Sequence, residues 1–223
     1  MKVRKRLKKY TGEFMSSKLE MLKGMSAEEI LRKSGQLRKV PVDLGKIVST
    51  LGLCKYSGTF EDIEKIKGKK VAGLIVLNRG DIGIFYDANA TIEEKRFIIA
   101  HEIGHCCLHG AILENAYIEY WEDDGHKKEY EDEESVFAAR LLIPKEPLFS
   151  VYKKLLLPSL SGLADIFEVP QFLMEHRLKE LNLIYYPQID SNLTRKKARR
   201  MKPREFFYKN TNEEYSNKYS CVH

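Results

Sequence analysis

Cysteine is scarce in this chain, which has four among 223 residues and no C-x-x-C pair. The low count excludes a disulfide-rich secreted scaffold and favours reduced thiols in a cytosolic protein. The sequence also lacks the apolar stretch of a cleavable signal peptide and any uncharged run of the roughly 18 residues that a membrane span requires. These absences predict a soluble, cytoplasmic protein with no membrane contact.

The residues His101-Glu102-Ile103-Gly104-His105 form the most informative motif in the sequence. On a helix of about 3.6 residues per turn, side chains four apart share one face, so His101 and His105 can reach a single metal ion. Glu102 lies beside them, where a carboxylate can take the proton from a water that attacks a carbonyl carbon. The pattern is typical of a hydrolytic zinc site.

The sequence around this motif predicts a buried helix. Thr91 and Glu94 have the spacing of a capping box, and Gly110 marks the expected end of the helix. The apolar positions between them are Phe97, Ile98, Ile99, Ala100, Ile103 and Leu108. A core in which the histidines and the glutamate satisfy one another without a metal is disfavoured, because several polar atoms would still need partners. Cys106 and Cys107 are interpreted as small packing residues.

A third metal ligand must come from outside this helix. Its usual side chain is His, Glu or Asp. An acidic segment from Glu114 to Glu134 precedes a second apolar helix that ends at Pro144, and most of its carboxylates are predicted to form a solvated face or loop. The candidate ligands are Glu129, Glu131, Glu133, Glu134, His109 and His126. Helical spacing places Glu131 and Glu134 on one stripe, but periodicity does not choose among the candidates.

Elements on both sides of the motif helix are also predicted. Residues 42–53 have the apolar spacing of a helix. Residues 71–77 and 82–86 are short apolar runs joined by a turn-forming segment, which predicts a β-hairpin against the metal-bearing helix. Residues 1–40 are interpreted as peripheral basic helices.

Residues 161–181 predict a helix, a tight turn and a second helix, with Ser161 as the first N-cap. This is the outline of a helix-turn-helix, and a helical hairpin packed on a core produces the same pattern. Two glutamates offset the basic residues His176, Arg177 and Lys179 of the second helix. Docking of a protein partner is therefore at least as well supported as DNA binding.

Basic residues are concentrated near the ends of the chain, with six in the first nine residues and seven in residues 195–204. Such runs are usually solvated tails. They can also make weak contacts with nucleic acid or an acidic surface.

Two strings of the sequence resemble the signatures of the ImmA/IrrE family of metallo-endopeptidases. Residues 96–109 are similar to its signature R-F-x-x-A-H-E-x-G-H-x-x-L-H, and residues 131–144 to its second signature, E-x-x-A-N-x-F-A-A-x-L-L-M-P. The match places the family's glutamate ligand on Glu131. Glu134 and Ser135 stand where the family usually has Ala and Asn, and Ile143 stands where it has Met.

The resemblance implies a zinc-dependent endopeptidase with an α+β, zincin-like domain, in which a short sheet packs on the HExxH helix. His101, His105 and Glu131 would hold one Zn²⁺, although Mn²⁺ also suits such ligands, and Glu102 would be the general base. Family members on phages and integrative elements cleave a helix-turn-helix repressor. The implied role is therefore site-specific cleavage of such a repressor, which would derepress phage, mobile-element or stress-response genes. The alternative is a non-catalytic, zinc-containing regulator that binds a repressor or DNA without cleavage.

Two further expectations follow. The residues available to stabilise an oxyanion are Tyr86, Arg96, His109, Tyr117 and Tyr120, and no spacing rule chooses among them. The predicted organisation is a basic N-terminal helical segment, a metallopeptidase domain, a helix-turn-helix-like segment and a basic C-terminal tail, at residues 1–40, 41–158, 159–188 and 189–223.

Overall fold

The fold is α+β, with a short sheet and a set of helices packed around a common core. The computed structural model describes residues 18–68, 71–78, 81–109, 116–120, 133–155 and 158–183, so both basic tails lie outside the described residues. The elements are α1 (described over residues 18–22), α2 (Ala27–Lys33), α3 (Leu44–Thr50), β1 (Cys54–Gly58), α4 (Glu61–Lys67), β2 (Val71–Asn78), β3 (Asp81–Asp87), α5 (Ile92–Leu108), β4 (Ala116–Tyr120), α6 (Glu133–Leu142), α7 (Lys145–Tyr152), α8 (Leu160–Phe167) and α9 (Gln171–Glu180).

The sheet has four strands in the order β1-β3-β2-β4. Strands β2 and β3 pair antiparallel with Ile75 opposite Ile84, which confirms the predicted hairpin. Strand β1 pairs parallel to β3, and β4 pairs antiparallel to β2. Strand β4 lies inside the acidic segment, most of whose carboxylates the sequence predicts on a solvated face or loop; the sequence did not predict a strand at residues 116–120.

Helix α5 packs on β2 and β3 on one side and on α6 on the other. Its first turn is closed by the predicted capping box, in which Thr91 Oγ1 accepts from the Glu94 N–H and Glu94 Oε2 accepts from the Thr91 N–H. The helix ends at Leu108 with His109 as its C-cap, two residues before the predicted end at Gly110, which lies outside the described residues. Leu108 is 37% exposed and not buried as predicted.

One hydrophobic cluster includes residues from most of these elements. Leu22 of α1 and Ile30 of α2 are buried in it, together with Leu163 of α8 and Leu173 of α9. The prediction that the N-terminal helices are peripheral is therefore wrong for residues 18–40. The predicted domain boundaries remain a prediction.

Helices α8 and α9 lie where the sequence predicts two helices separated by a turn. The N-cap of α8 is Ser159, whose Oγ accepts from the Gly162 N–H, and not Ser161. The guanidinium of Arg96 on α5 donates to the carbonyl oxygens of Glu168 and Val42, each at 3.0 Å. Arg96 thus links the α8–α9 turn and the loop before α3 to the central helix. Among the described residues, no helix is long and apolar enough to cross a membrane.

Candidate active site

The three polar side chains of the HExxH motif lie together on the buried side of α5. Their exposed fractions are 6% for His101, 1% for Glu102 and 7% for His105. The two imidazole rings lie edge to face, with centroids 4.9 Å apart. The helical spacing therefore brings the two rings together as the sequence predicts, inside the packed core.

Strand β2 approaches the carboxylate of Glu102 at Gly73. A Cβ atom at Gly73 would lie 2.2 Å from Glu102 Oε1 and 2.9 Å from Ile98 Cγ2. Because non-bonded heavy atoms do not approach so closely, the observed position of Glu102 requires glycine at this point of the strand. Gly73 was not among the predicted site residues, although a glycine inside a predicted strand can indicate a close approach.

The first turn of α6 contacts the Nδ1 atoms of both histidines. Ser135 Oγ lies 3.4 Å from His101 Nδ1, and Glu134 Oε1 lies 3.3 Å from His105 Nδ1. The same Glu134 oxygen lies 2.6 Å from His109 Nε2. Glu134 and Ser135, two of the three positions that depart from the family signature, therefore both lie beside the histidines.

Gly104 allows α6 to come this close to α5. A Cβ atom at Gly104 would lie 3.2 Å from the Cα and 3.3 Å from the Cβ of Glu134. These separations are tighter than ordinary van der Waals contact, so a larger residue would push the first turn of α6 away from the histidines.

The donor chemistry of this site fits a zinc ion. When the Nδ1–H of His105 donates to a carboxylate, the lone pair lies on Nε2, which is the tautomer that binds metals. Two buried imidazoles with a carboxylate beside them are the donor types of a catalytic zinc site. No group of three or more His, Cys, Asp or Glu side chains arranged to hold a metal occurs in the part of the chain that the structure describes. The predicted third ligand, Glu131, lies outside that part.

The structure separates the remaining ligand candidates. Glu133 is exposed, whereas Glu134 is 8% exposed and contacts the Nδ1 side of His105. His109, at the end of α5, contacts Glu134. Glu129 and His126 lie outside the described residues.

The oxyanion candidates occupy different places. The guanidinium of Arg96 is engaged by the backbone carbonyls of Val42 and Glu168. Tyr86 on β3 pairs with Gly73, so both residues face the same side of the sheet, which is the side covered by Glu102. Tyr117 and Tyr120 lie on β4.

Cys106 and Cys107 are fully buried next to the motif. Burial raises the pKa of the Cys106 thiol far above its ordinary value. Burial also raises the pKa of Cys107 to about 12. Both side chains therefore remain neutral thiols at physiological pH, which agrees with their interpretation as packing residues.

Comparison with known protein families finds a match over the central part of the chain. The family model Peptidase_M78, described as the IrrE N-terminal-like domain, matches residues 60–179. The matched region covers more than half of the chain and includes β2, β3, α5 and α6. No curated protein matches the chain.

Proposed function

Because the chain belongs to the ImmA/IrrE family of metallopeptidases, we propose that it is a zinc-dependent endopeptidase that cleaves a helix-turn-helix repressor at one site. The observation that carries this proposal is the pair of buried imidazoles on α5, with Glu102 beside them and the first turn of α6 against their Nδ1 atoms. In a zincin-like domain this arrangement supports hydrolysis of a peptide bond.

His101 and His105 are proposed to hold one zinc ion per chain, with Glu131 as the third ligand. Two imidazoles and one carboxylate also accept Mn²⁺. When bound there, the ion would supply Lewis-acid activation of water and of the scissile carbonyl group.

Glu102 is proposed as the general base. Its carboxylate takes a proton from the attacking water as the water oxygen bonds to the carbonyl carbon. Glu102 then returns that proton to the amide nitrogen as the C–N bond breaks, so one water is consumed for each bond cleaved. The close approach of Gly73 supports this role, because it restricts the position of the carboxylate.

The burial of the site favours a narrow substrate. Glu102 is 1% exposed, which favours a locally extended segment over a folded protein surface as the substrate. A repressor with one accessible extended segment would provide such a substrate, and its cleavage would release the genes that it silences. The paired helices α8 and α9 are proposed as a surface for docking this partner.

Contacts of α9 give less support to the DNA-binding alternative. Arg177 is 6% exposed, donates to the carbonyl oxygen of Ile143 and pairs with Glu180. Lys179 pairs with Glu175 at 2.9 Å. Two of the three basic residues on this helix are therefore already neutralised by acidic partners, which leaves little charge for phosphate groups.

The test is co-expression of a candidate repressor, ideally the one encoded beside this gene, with the wild-type protein and with Glu102→Gln. Intact-mass analysis of the repressor should show one new pair of fragments with the wild type. With the variant, cleavage should fall by about 10²-fold or more, because no base takes the proton from water. The zinc content of the two proteins, measured by plasma mass spectrometry, should be equal.

Two outcomes would contradict the proposal. A repressor that stays intact but co-purifies with zinc-loaded wild type would indicate a non-catalytic regulator. Equal cleavage by wild type and Glu102→Gln would remove Glu102 from the mechanism.

A further inference from the structure

We propose that Glu134 is a positioning residue of the metal centre, whose carboxylate orients His105 through Nδ1 and is itself held by His109. The inference rests on the proposed zinc peptidase function. It assigns a role to a residue that stands where the family signature usually has alanine, and so concerns a feature of this particular chain.

The contacts of one carboxylate oxygen carry the argument. Glu134 Oε1 lies 3.3 Å from His105 Nδ1 and 2.6 Å from His109 Nε2. The two nitrogens of an imidazole point to different sides of the ring. A carboxylate on the Nδ1 side of His105 is therefore placed to fix the ring, whereas a ligand sharing its metal ion would lie towards Nε2.

The contact has two chemical consequences for His105. A carboxylate that accepts from Nδ1–H favours the tautomer with its lone pair on Nε2, and its negative charge makes that nitrogen a stronger donor to a metal ion. Ser135 makes the corresponding contact with His101 through a neutral hydroxyl at 3.4 Å. Of these two adjacent residues, Glu134 is thus expected to have the larger effect on metal affinity.

His109 holds the carboxylate in place. It is the C-cap of α5, one helical turn beyond His105, and its Nε2 atom is within hydrogen-bonding distance of Glu134 Oε1. This second contact restricts the rotamers of Glu134, so the carboxylate is presented to His105 at a lower cost in side-chain entropy. Substitution of His109 should then affect the metal through Glu134.

The experiment measures metal affinity in the full-length protein. In one measurement, each apo protein competes with a chromophoric chelator for Zn²⁺. In a second, the visible absorption of each Co²⁺ complex is recorded. The proteins compared are the wild type, Glu134→Gln, His109→Asn, Glu131→Gln and Glu133→Gln. Glu133 is the matched control, because it is the adjacent glutamate on α6 and is exposed.

Glu134→Gln should weaken zinc binding by about 10-fold to 100-fold while keeping one ion per chain, as expected for loss of a charged partner to a ligating histidine. The Co²⁺ bands should keep their intensity and shift, because the ligands are unchanged but His105 is a weaker donor to the metal ion. His109→Asn should weaken binding by a smaller factor, and Glu133→Gln should match the wild type. Glu131→Gln should cause the largest loss, since it removes a ligand.

Comparison of these variants distinguishes failure of the positioning role from failure of the proposed zinc site. Wild-type affinity in both Glu134→Gln and His109→Asn would overturn the positioning role. Loss of stoichiometric binding in Glu134→Gln with retained binding in Glu131→Gln would make Glu134 the third ligand and overturn the inference while leaving a zinc site. If the wild type binds no zinc, the proposed function fails and this inference fails with it. If Glu134→Gln does not fold, as judged by circular dichroism of the apo protein, His109→Asn decides.

Discussion

At the scale of single residues, the position of the proposed general base depends on a residue that carries no chemistry. Gly73 lies under Glu102 in the sheet, where a Cβ atom would come within 2.2 Å of Oε1. Any side chain at this position must move either the carboxylate or the strand. The geometry of Glu102 is therefore determined by β2 as well as by α5.

Gly73→Ala is expected to reduce the rate of cleavage without removing the metal. A displacement of Glu102 by about 1 Å would lower kcat by about 10²-fold. Zinc affinity should change little, because the atoms nearest to the added methyl group belong to Glu102 and Ile98 and not to a histidine. Steady-state cleavage and zinc competition measure the two effects.

Gly58→Ala is the control, since it lies in the same sheet and its Cβ would meet nothing within 4 Å. A wild-type rate for Gly73→Ala would contradict the assignment of Glu102 as a base held by this strand.

The residues of the HExxH motif could be predicted because their relation is local. Helical spacing alone brings His101 and His105 to one face. The role of Glu134 could not be predicted in the same way. Periodicity indicates that its side chain faces the core, but which imidazole nitrogen it contacts depends on how closely α6 approaches Gly104.

At the scale of secondary-structure elements, α6 and α9 are joined by a network around Glu180. Its carboxylate accepts from Arg140 at 2.7 Å and also from Arg177, which in turn donates to the carbonyl oxygen of Ile143 at 3.0 Å. Arg177 is buried, so its charge requires these partners. The network fixes α9 against the helix whose first turn supports the histidines.

This network predicts a pH-dependent stability. Burial acts to raise the pKa of Glu180, but the hydrogen bonds and charges of Arg177 and Arg140 lower it overall from the ordinary value of 4.5. The unfolded chain therefore takes up the proton first as the pH falls. The stabilisation is complete above about pH 4.5 and is lost as the pH falls through the lower folded-state pKa.

Glu180→Gln should reduce the free energy of unfolding by about 1–3 kcal/mol at neutral pH, since it leaves Arg177 without its charged partner. The difference from wild type should shrink as the pH is lowered below about 4.5. Urea titrations at several pH values measure it. Glu175→Gln is a suitable control, because it removes a more exposed pair with Lys179 that should contribute less than about 1 kcal/mol. A pH-independent difference would show that the ion pair is not its source.

The elements that could be predicted have strong local signals, and those that were missed do not. Helix α5 has a capping box and a long apolar run, and the β2–β3 hairpin has two apolar runs joined by turn residues. Strand β1 is only five residues long and mostly exposed. Its parallel pairing with β3 brings together residues distant in the sequence, so no local pattern identifies it.

At the scale of the whole molecule, the proposed zinc ligands come from two segments that are separated in the sequence. His101 and His105 belong to α5, and Glu131 precedes α6. Helix α6 also contacts α2 and α9, and all three contribute to the same hydrophobic cluster. A ligand that ties α5 to the start of α6 should therefore stabilise the described part of the chain as a whole.

Zinc is therefore expected to raise the midpoint of thermal unfolding in a single transition. At a free zinc concentration about 100 times the dissociation constant, the stabilisation would be about 2.7 kcal/mol. His105→Ala should lose most of this shift, whereas Glu102→Gln should keep it, because Glu102 acts on the proton and is not a ligand. Circular dichroism melts at several zinc concentrations, with a chelator to reverse the effect, measure the shift.

An equal shift in His105→Ala would mean that zinc binds elsewhere. Two transitions, of which one responds to zinc, would instead support the predicted boundaries near residues 41 and 159, because the helical segments would then unfold separately from the metal-binding domain.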